Sequence, residues 1–284
     1  MDRKKIAVVT GSSSGFGLLT VVELAKAGYF VVATMRDLTR RDRLDSALAS
    51  AGNPANDVEV RQLDITDFEG IPTAISGIAR DHGRIDVLVN NAGFAVGGFA
   101  EDVALDELRL QLDTNFFGQV AVTKAVLPTM RAQHSGHIIM VSSILGLIGQ
   151  PMVSSYSASK HALEGWAEAL RIEIRSLGIK VVLVEPGAYK TDIWTRNVLV
   201  SRGSTDERSS NKERSRRYVD GVKERQQQMA DPIEVARLIT RIAQDSHPRL
   251  RYRSGRDAKI GYLMRALLPW NVWERMVEKR TKIG

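Results

Sequence analysis

Short apolar runs alternate with amphipathic stretches along most of the chain. Ile6 to Val9 is a β-branched run that ends at a Gly/Ser cluster. The next segment, Phe16 to Ala27, has helical periodicity and stops at Gly28, and a longer helical pattern covers Leu105 to Met130. Further apolar runs predict strands at Phe30 to Thr34, Val58 to Leu63, Asp86 to Val89, His137 to Val141 and Lys180 to Val184.

The predicted strands are almost continuously apolar, which is typical of a parallel sheet with helices on both faces. The pattern therefore predicts a doubly wound α/β (Rossmann) fold in one domain, residues 1–245. Residues 246–284 form a basic, amphipathic C-terminal extension in this interpretation. Asp231 is the expected N-cap of a late helix, with Pro232 at its first position.

The hydrophobic pattern disappears between residues 196 and 228, where Arg, Lys, Ser, Glu and Gln dominate. One interpretation is a solvated loop or helix surface. The other is a mobile lid over a substrate, because the segment directly follows a strand expected to contact a ligand.

Composition limits the chemistry that the chain can perform. The 284 residues include no cysteine, so disulfides, a thiolate nucleophile and a cysteine-based zinc site are excluded. No metal site is expected. The net charge of +7 lies in the tail, because residues 247–284 carry ten Lys/Arg and three Asp/Glu. The rest of the chain therefore carries no net charge. Since the sequence also shows no known nucleic-acid-binding module, we expect no nucleic-acid partner.

The chain contains neither an apolar run of about 18 residues nor a signal-peptide core, so we expect a cytoplasmic protein without a spanning helix. The apolar tail from Ile260 to Trp273 leaves three alternatives. It packs on its own domain, it contacts a second subunit or covers a pocket, or it lies in a membrane interface, where Trp flanked by Arg and Lys is favourable.

A Gly/Ser turn connects the first predicted strand to the first helix. It contains Gly11, Ser13, Ser14, Gly15, Phe16 and Gly17. Glycine permits a sharp turn and close backbone approach to a pyrophosphate, and the helix N-terminus presents N–H groups to the anion. This context favours a dinucleotide-binding turn over an ordinary loop.

The Gly-x3-Gly-x-Gly spacing resembles that of the short-chain dehydrogenase/reductase family. Asn90-Asn91-Ala92-Gly93, Asn115, Ser143, Tyr156-x3-Lys160 and Pro186-Gly187-x3-Thr191 match further family motifs in the family order. The resemblance implies Asn115, Ser143, Tyr156 and Lys160 as catalytic residues. It also implies that the cofactor is bound by the Gly-turn residues, Asp64, Ile65, Asn91, Ala92, Gly93, Tyr156, Lys160, Pro186, Gly187 and Thr191.

The Tyr156–Lys160 pair suits ketone reduction and alcohol oxidation. Free tyrosine has a pKa of about 10, and a nearby cation lowers the pKa by favouring the phenolate. Lys160 lies one helical turn after Tyr156. Ser143 ends a strand at the carboxyl edge of the sheet, where its hydroxyl can hold a substrate oxygen. Adjacent strand residues face opposite ways, so only one of Ser142 and Ser143 can serve, and the family-like spacing to Tyr156 favours Ser143.

The end of the second strand favours NADP(H) over NAD(H). Met35 stands where an NAD-preferring enzyme usually carries an acid, and the cation Arg36 follows. A neutral residue followed by a cation suits a 2′-phosphate, and Ser13 could reach the same site. In the alternative, Arg36 is merely exposed and Asp37 binds the ribose.

Residues 33–37 and 250–259 resemble one branch of the family, the 17β-hydroxysteroid and retinol dehydrogenase-like proteins. This resemblance implies a small-molecule substrate that is a bulky apolar ketone or alcohol, and the family resemblance implies a homodimer or tetramer. Pocket candidates are Phe94, Val96, Leu145, Leu147, Ile148, Met152, Tyr189 and Trp194. The rival hypothesis is a catalytically silent dinucleotide sensor or interaction protein, which the intact catalytic set disfavours.

Overall fold

The computed structural model describes residues 4–52, 55–194, 196–226 and 229–281, without the side chains of residues 55, 194, 223, 225 and 226. A seven-stranded, all-parallel sheet forms its centre, in the order β3-β2-β1-β4-β6-β7-β9. These strands are β1 Ile6–Thr10, β2 Phe30–Met35, β3 Val58–Gln62, β4 Val87–Asn90, β6 Gly136–Val141, β7 Ile179–Pro186 and β9 Arg251–Ser254. Two short strands, β5 Ala95–Gly97 and β8 Val198–Val200, pair beside it.

Helices cover both faces of the sheet, which confirms the doubly wound α/β architecture. One hydrophobic core lies under α1 Gly15–Lys26, α2 Asp42–Ser50 and α9 Ile233–Gln244, where Val21 and Ile239 are fully buried. The other lies under α3 Gly70–His82, α5 Gln119–Gln133 and α6 Ser154–Glu173, where Ile75 and Leu163 are fully buried. Helix α9 begins one residue later than expected, with Pro232 and not Asp231 as its N-cap, and Asp231 Oδ1 accepts from Ile233 N.

The predicted long helix from Leu105 to Met130 is interrupted. It consists of α4 Leu105–Leu112, a π-helical turn Asp113–Gly118, and then α5. At Gly118 the backbone lies so close to Ile65 O that a Cβ would come within 2.5 Å of it. The wider turn accommodates this approach and sets the position of Asn115, and π turns of this kind are frequent at functional sites.

The polar segment after residue 196 is more structured than its pattern suggests. It contains β8, α7 Arg202–Thr205 and α8 Lys212–Gln226. Its polar groups bond to the loop before α4 and to the start of α4 itself: Asn211 Nδ2 donates to Glu101 at 2.6 Å, and Arg202 N donates to Glu107 at 2.9 Å. Hydrophobic periodicity could not reveal these elements, because polar contacts hold them in place.

The C-terminal extension expected at residues 246–284 begins inside the central sheet. Residues 251–254 form β9, which pairs with β7, and α10 Arg256–Leu267 and α11 Trp270–Thr281 follow. Ala258 and Trp273 are buried, whereas Ile260, Leu263, Leu267 and Trp270 are exposed. Among the helices in the described ranges, none has both the length and the hydropathy needed to cross a bilayer.

Candidate active site

The Gly turn is locked against the end of β4. Gly11 has a φ of +68°, and a Cβ there would come within 2.7 Å of Ala92 Cα. The Asn91 side chain donates to Thr10 O at 2.8 Å and to Gly11 O at 3.1 Å. In return, the Thr10 hydroxyl accepts from the backbone N–H groups of Asn91 and Ala92, both at 3.0 Å. Contacts between the two strand ends thus determine the shape of the turn.

The start of α1 is open to a ligand. The side chain of Ser14, the N-cap residue, does not cap the helix. Its hydroxyl instead accepts a 3.5 Å hydrogen bond from Asn197 Nδ2. The buried Ser12 is held by Thr34 O and Val9 O, whereas Ser13 is half-buried. Uncapped N–H groups beside close-packed glycines fit the pyrophosphate of a dinucleotide.

The end of β2 presents cations. Met35 is buried, and Arg36 and Arg40 are exposed. The Asp37 carboxylate accepts from Thr39 N at 3.0 Å and from Thr39 Oγ1 at 2.6 Å, and these bonds hold its pKa below the usual range. Asp37 is thus already engaged, which weakens the alternative that it binds a ribose. Arg40, in the 3₁₀ turn Leu38–Arg40, is a second cation here that the sequence pattern did not single out, and both arginines help to lower the pKa of Asp37.

Other expected cofactor residues lie at the same carboxyl edge of the sheet. Asp64 follows β3, and its Oδ1 accepts from Thr66 N and Oγ1, while Ile65 is buried. Gly93 packs against the Asn115 side chain. Pro186 ends β7, Gly187 N donates to Ser254 O at 2.9 Å, and the Thr191 side chain lies beside Gly15.

Tyr156 and Ser143 are buried and hydrogen-bonded to each other. Ser143 Oγ also accepts from Leu145 N at 3.1 Å, whereas Ser142 faces Glu164 on the other side of the strand end. Burial raises the pKa of Tyr156 to about 12, despite the hydrogen bond from Ser143. The phenol is therefore neutral at neutral pH, which is the form that donates a proton.

Lys160 is buried beneath Tyr156. Its Nζ donates to Val141 O at 2.8 Å and lies 5.7 Å from the centre of the Tyr156 ring. Burial lowers the pKa of Lys160 to about 8, and Glu164 opposes this effect. A neighbouring cation by itself would lower the pKa of Tyr156. In the folded chain burial raises this pKa instead, and burial favours the neutral form of both groups.

Asn115 is fully buried within the π-helical turn. Its Oδ1 accepts from Phe94 N at 3.1 Å, and its Nδ2 donates to Phe94 O at 3.0 Å and to Ser159 Oγ at 3.3 Å. The amide thereby joins the segment after β4 to the helix that carries Tyr156.

Tyr156 belongs to a small, buried apolar cluster. Its other members are Ala95, Leu145 and Val153, with Ile144 and Ile193 partly buried beside them. Tyr189, expected as a pocket residue, instead lies in the core under α1, with its ring 5.6 Å from Phe16 and its hydroxyl 2.7 Å from Ser254. The Trp194 side chain lies outside the described residues.

Two supporting residues were not identified as functional from the sequence. Asp257, at the start of α10, accepts from Ala188 N at 2.7 Å and so supports the turn after Pro186. Arg43, at the start of α2, pairs with Asp192. This ion pair links α2 to the segment after Thr191. Neither has a motif, and the only signal was the family-like stretch around Asp257.

The family model described as "short chain dehydrogenase" matches residues 5–199 of this chain. An uncharacterized oxidoreductase, YusZ of Bacillus subtilis, is 43% identical over 278 residues, covering 98% of both chains. The 3-ketodihydrosphingosine reductase of Bacteroides thetaiotaomicron is 35% identical, covering 88% of each. Human retinol dehydrogenase 8 is 42% identical over 66% of this chain and 60% of its own.

Solved structures agree with these sequence matches. A short-chain dehydrogenase from Streptomyces avermitilis superposes with a TM-score of 0.80 and 32% identity, covering 97% of both chains. ElxO with NADP bound has a TM-score of 0.72 and 27% identity, covering 92% of this chain and 99% of its own. The described residues contain no cluster of His, Asp or Glu that could hold a metal ion.

Gly11→Ala should destabilise the protein by about 1–3 kcal/mol, because the Cβ would meet the Ala92 backbone at a positive φ. Urea unfolding followed by circular dichroism measures the change. Gly165→Ala is the matched control, since Gly165 lies on α6 with nothing within 4 Å of an added Cβ. Wild-type stability in Gly11→Ala would contradict the proposed lock between the turn and β4.

Proposed function

Because the chain belongs to the short-chain dehydrogenase family of oxidoreductases, we propose that it is an NADP(H)-dependent enzyme that interconverts an apolar ketone and its alcohol. The observation that carries this proposal is the buried Tyr156–Ser143 pair above Lys160, at the sheet edge that also holds the Gly turn. The substrate class is supported by the apolar side chains packed around Tyr156 and by relatives named for 3-ketodihydrosphingosine and for retinol.

In the proposed mechanism, each residue acts at a defined atom. When bound, the nicotinamide supplies or accepts the hydride. Ser143 Oγ holds the substrate oxygen, and the neutral Tyr156 phenol donates the proton to it during reduction. Lys160 Nζ stabilises the phenolate that results. Because the Asn115 amide is engaged with Phe94 and Ser159, we assign its role in a water relay to its main-chain carbonyl.

The cofactor would be held by the Gly turn at its pyrophosphate and by the end of β2 at its 2′-phosphate. The uncapped start of α1 and the close approach of Gly11 to Ala92 fit the pyrophosphate. Arg36 is the proposed 2′-phosphate ligand, and Arg40 adds positive potential.

We also propose that the segment 196–228 is a substrate lid, supported by the contact between Asn197 and Ser14 at the Gly turn.

A homodimer or tetramer is part of the proposal. It is supported by large exposed apolar side chains on the helical segment from α4 to α5 and on α6, namely Leu105, Leu110, Phe117 and Ile172.

NADPH oxidation, followed by absorbance with a panel of apolar ketones, tests the activity. Wild type should turn over at least one ketone, and Tyr156→Phe should lower kcat by about 10²–10⁴-fold, the usual contribution of a general acid. NADPH binding should be retained, because the phenol oxygen is not the main cofactor ligand. Absence of turnover with every ketone, together with intact NADPH binding, would favour the sensor hypothesis instead.

Arg36→Ala should raise KM for NADPH by about 10–100-fold, the value of one or two charge-assisted hydrogen bonds, and leave KM for NADH nearly unchanged. Met35→Asp should shift preference towards NADH. The control is Arg80→Ala, since Arg80 is highly exposed on α3. A wild-type preference for NADH would contradict the assignment of Arg36.

We further propose that the tail makes peripheral contact with an anionic membrane. Exposed Ile260, Leu263, Leu267 and Trp270 lie on α10 and the start of α11, in a tail with ten Lys/Arg and three Asp/Glu. Apolar side chains surrounded by cations suit the headgroup boundary.

Wild type should co-sediment with vesicles containing phosphatidylglycerol, and less with pure phosphatidylcholine. The double variant Leu263→Glu/Leu267→Glu should lose binding, whereas Phe68→Glu, an exposed apolar position elsewhere, should retain it. Equal sedimentation of wild type and the double variant would contradict the proposal.

A further inference from the structure

A row of charged side chains extends away from Tyr156 beneath the proposed active site. Lys160 and Glu164 on α6 are buried, and Glu185 on β7 has no exposed surface. The proposed mechanism uses Lys160 but gives no role to the two glutamates. Burying a carboxylate is costly unless it is paired, so their presence here calls for a physical reason.

The strand β9 supplies the pairing. Arg251 Nε lies 3.1 Å from Glu164 Oε2 and 3.4 Å from Glu185 Oε1, and its Nη2 lies 2.6 Å from the more exposed Glu168. Arg253 Nε lies 3.1 Å from Glu185 Oε2. Two arginines from the sheet edge thus reach the carboxylates behind the catalytic helix.

Glu164 follows Lys160 by one helical turn on the same face of α6. Burial raises the pKa of Glu164, while the Ser142 hydroxyl, Arg251 and Lys160 lower it. Glu164 in turn raises the pKa of Lys160 against burial. The ammonium and the carboxylate therefore stabilise each other's charged forms, and Arg251 also pairs with the carboxylate.

We propose that Glu164 is a positioning residue that keeps Lys160 protonated beside Tyr156, and that Arg251 of β9 keeps Glu164 ionised. The inference rests on the proposed role of Lys160 in catalysis. In this proposal β9 does more than complete the sheet, because Arg251 on this strand acts through Glu164 on the charge of Lys160.

Other charged groups near α6 are engaged elsewhere or act through this network. Glu185, whose pKa burial raises to about 7, faces Arg251 and Arg253. On α4, which also packs against α6, Asp106 and Glu107 pair with Arg202. The charged groups on the elements packed against α6 are Lys180 and Glu185 on β7, Asp106, Glu107 and Arg109 on α4, Asp113 in the π-helical turn, and Arg175 in the 3₁₀ turn after α6. The charge that raises the pKa of Lys160 is that of Glu164.

The direction of the pH effect follows from these charges. Lys160 loses its proton as pH rises through about 8. Removing the negative charge of Glu164 lowers the pKa of Lys160 further, so the ammonium is lost at lower pH. The alkaline limb of kcat/KM for ketone reduction should therefore move to lower pH.

The primary experiment measures Lys160 directly and needs no turnover. Wild type and Glu164→Gln, both without added cofactor, are labelled with ¹³C-lysine, and the Lys160 signal is assigned with Lys160→Arg. In Glu164→Gln its NMR titration should move to lower pH by about one unit, a tenfold change in the proton equilibrium. Coincident titrations in the two proteins would overturn the proposal, whatever the activity.

The kinetic experiment follows kcat/KM for ketone reduction against pH. In Glu164→Gln the alkaline limb should shift by the same amount, with near wild-type kcat at pH 6. Glu164→Asp keeps a carboxylate, so its alkaline limb should shift less. Arg251→Met should shift the limb likewise. The matched control is Glu168→Gln, which removes another partner of Arg251 one turn further from Lys160 and should leave the limb in place.

Circular dichroism and thermal melting establish that each variant folds. A uniform loss of kcat at all pH values in folded Glu164→Gln would indicate a merely structural role and overturn the proposal. A shifted Lys160 titration in a protein that reduces no ketone would instead overturn the proposed function and leave this inference standing.

Discussion

The contact between the end of β1 and the end of β4 is the constraint on which the site depends. Thr10, Gly11, Asn91 and Ala92 bond to one another across these neighbouring strands, so closely that a Cβ at Gly11 has no space. The sheet order reverses between these strands, since β2 and β3 lie on one side and β6, β7 and β9 on the other. A crevice forms at such a reversal, and ligands of open α/β sheets bind there.

Burial controls the chemistry of the residues beside this crevice. It raises the pKa of Tyr156 to about 12 and lowers that of Lys160 to about 8, so it disfavours the charged form of both. The neutral phenol suits donation of a proton to a ketone. The ammonium needs support against the same desolvation, and the carboxylate of Glu164 provides it. The pair and its surroundings therefore form one electrostatic unit.

The C-terminal residues contribute to the site although they lie outside the family-model match. Arg251 contacts the glutamates behind α6, Ser254 accepts from Gly187 N, and Asp257 accepts from Ala188 N. The β9 strand thus connects two parts of the site, the helix of Tyr156 and the turn after Pro186. Its sequence, Arg-Tyr-Arg-Ser, lacks the apolar run that marks the other strands of the sheet, because its arginines pair with glutamates.

The sequence by itself determined the architecture and the main residues at the sheet edge. Buried parallel strands have a strong apolar signal, and the Gly turn, Tyr156 and Lys160 have fixed local spacing. Only the tertiary structure revealed the π-helical turn around Asn115, the core position of Tyr189 and the strand β9, and it reversed the expected pKa shift of Tyr156. Each of these depends on contacts or burial contributed by residues far away in the chain, which local periodicity and spacing do not encode.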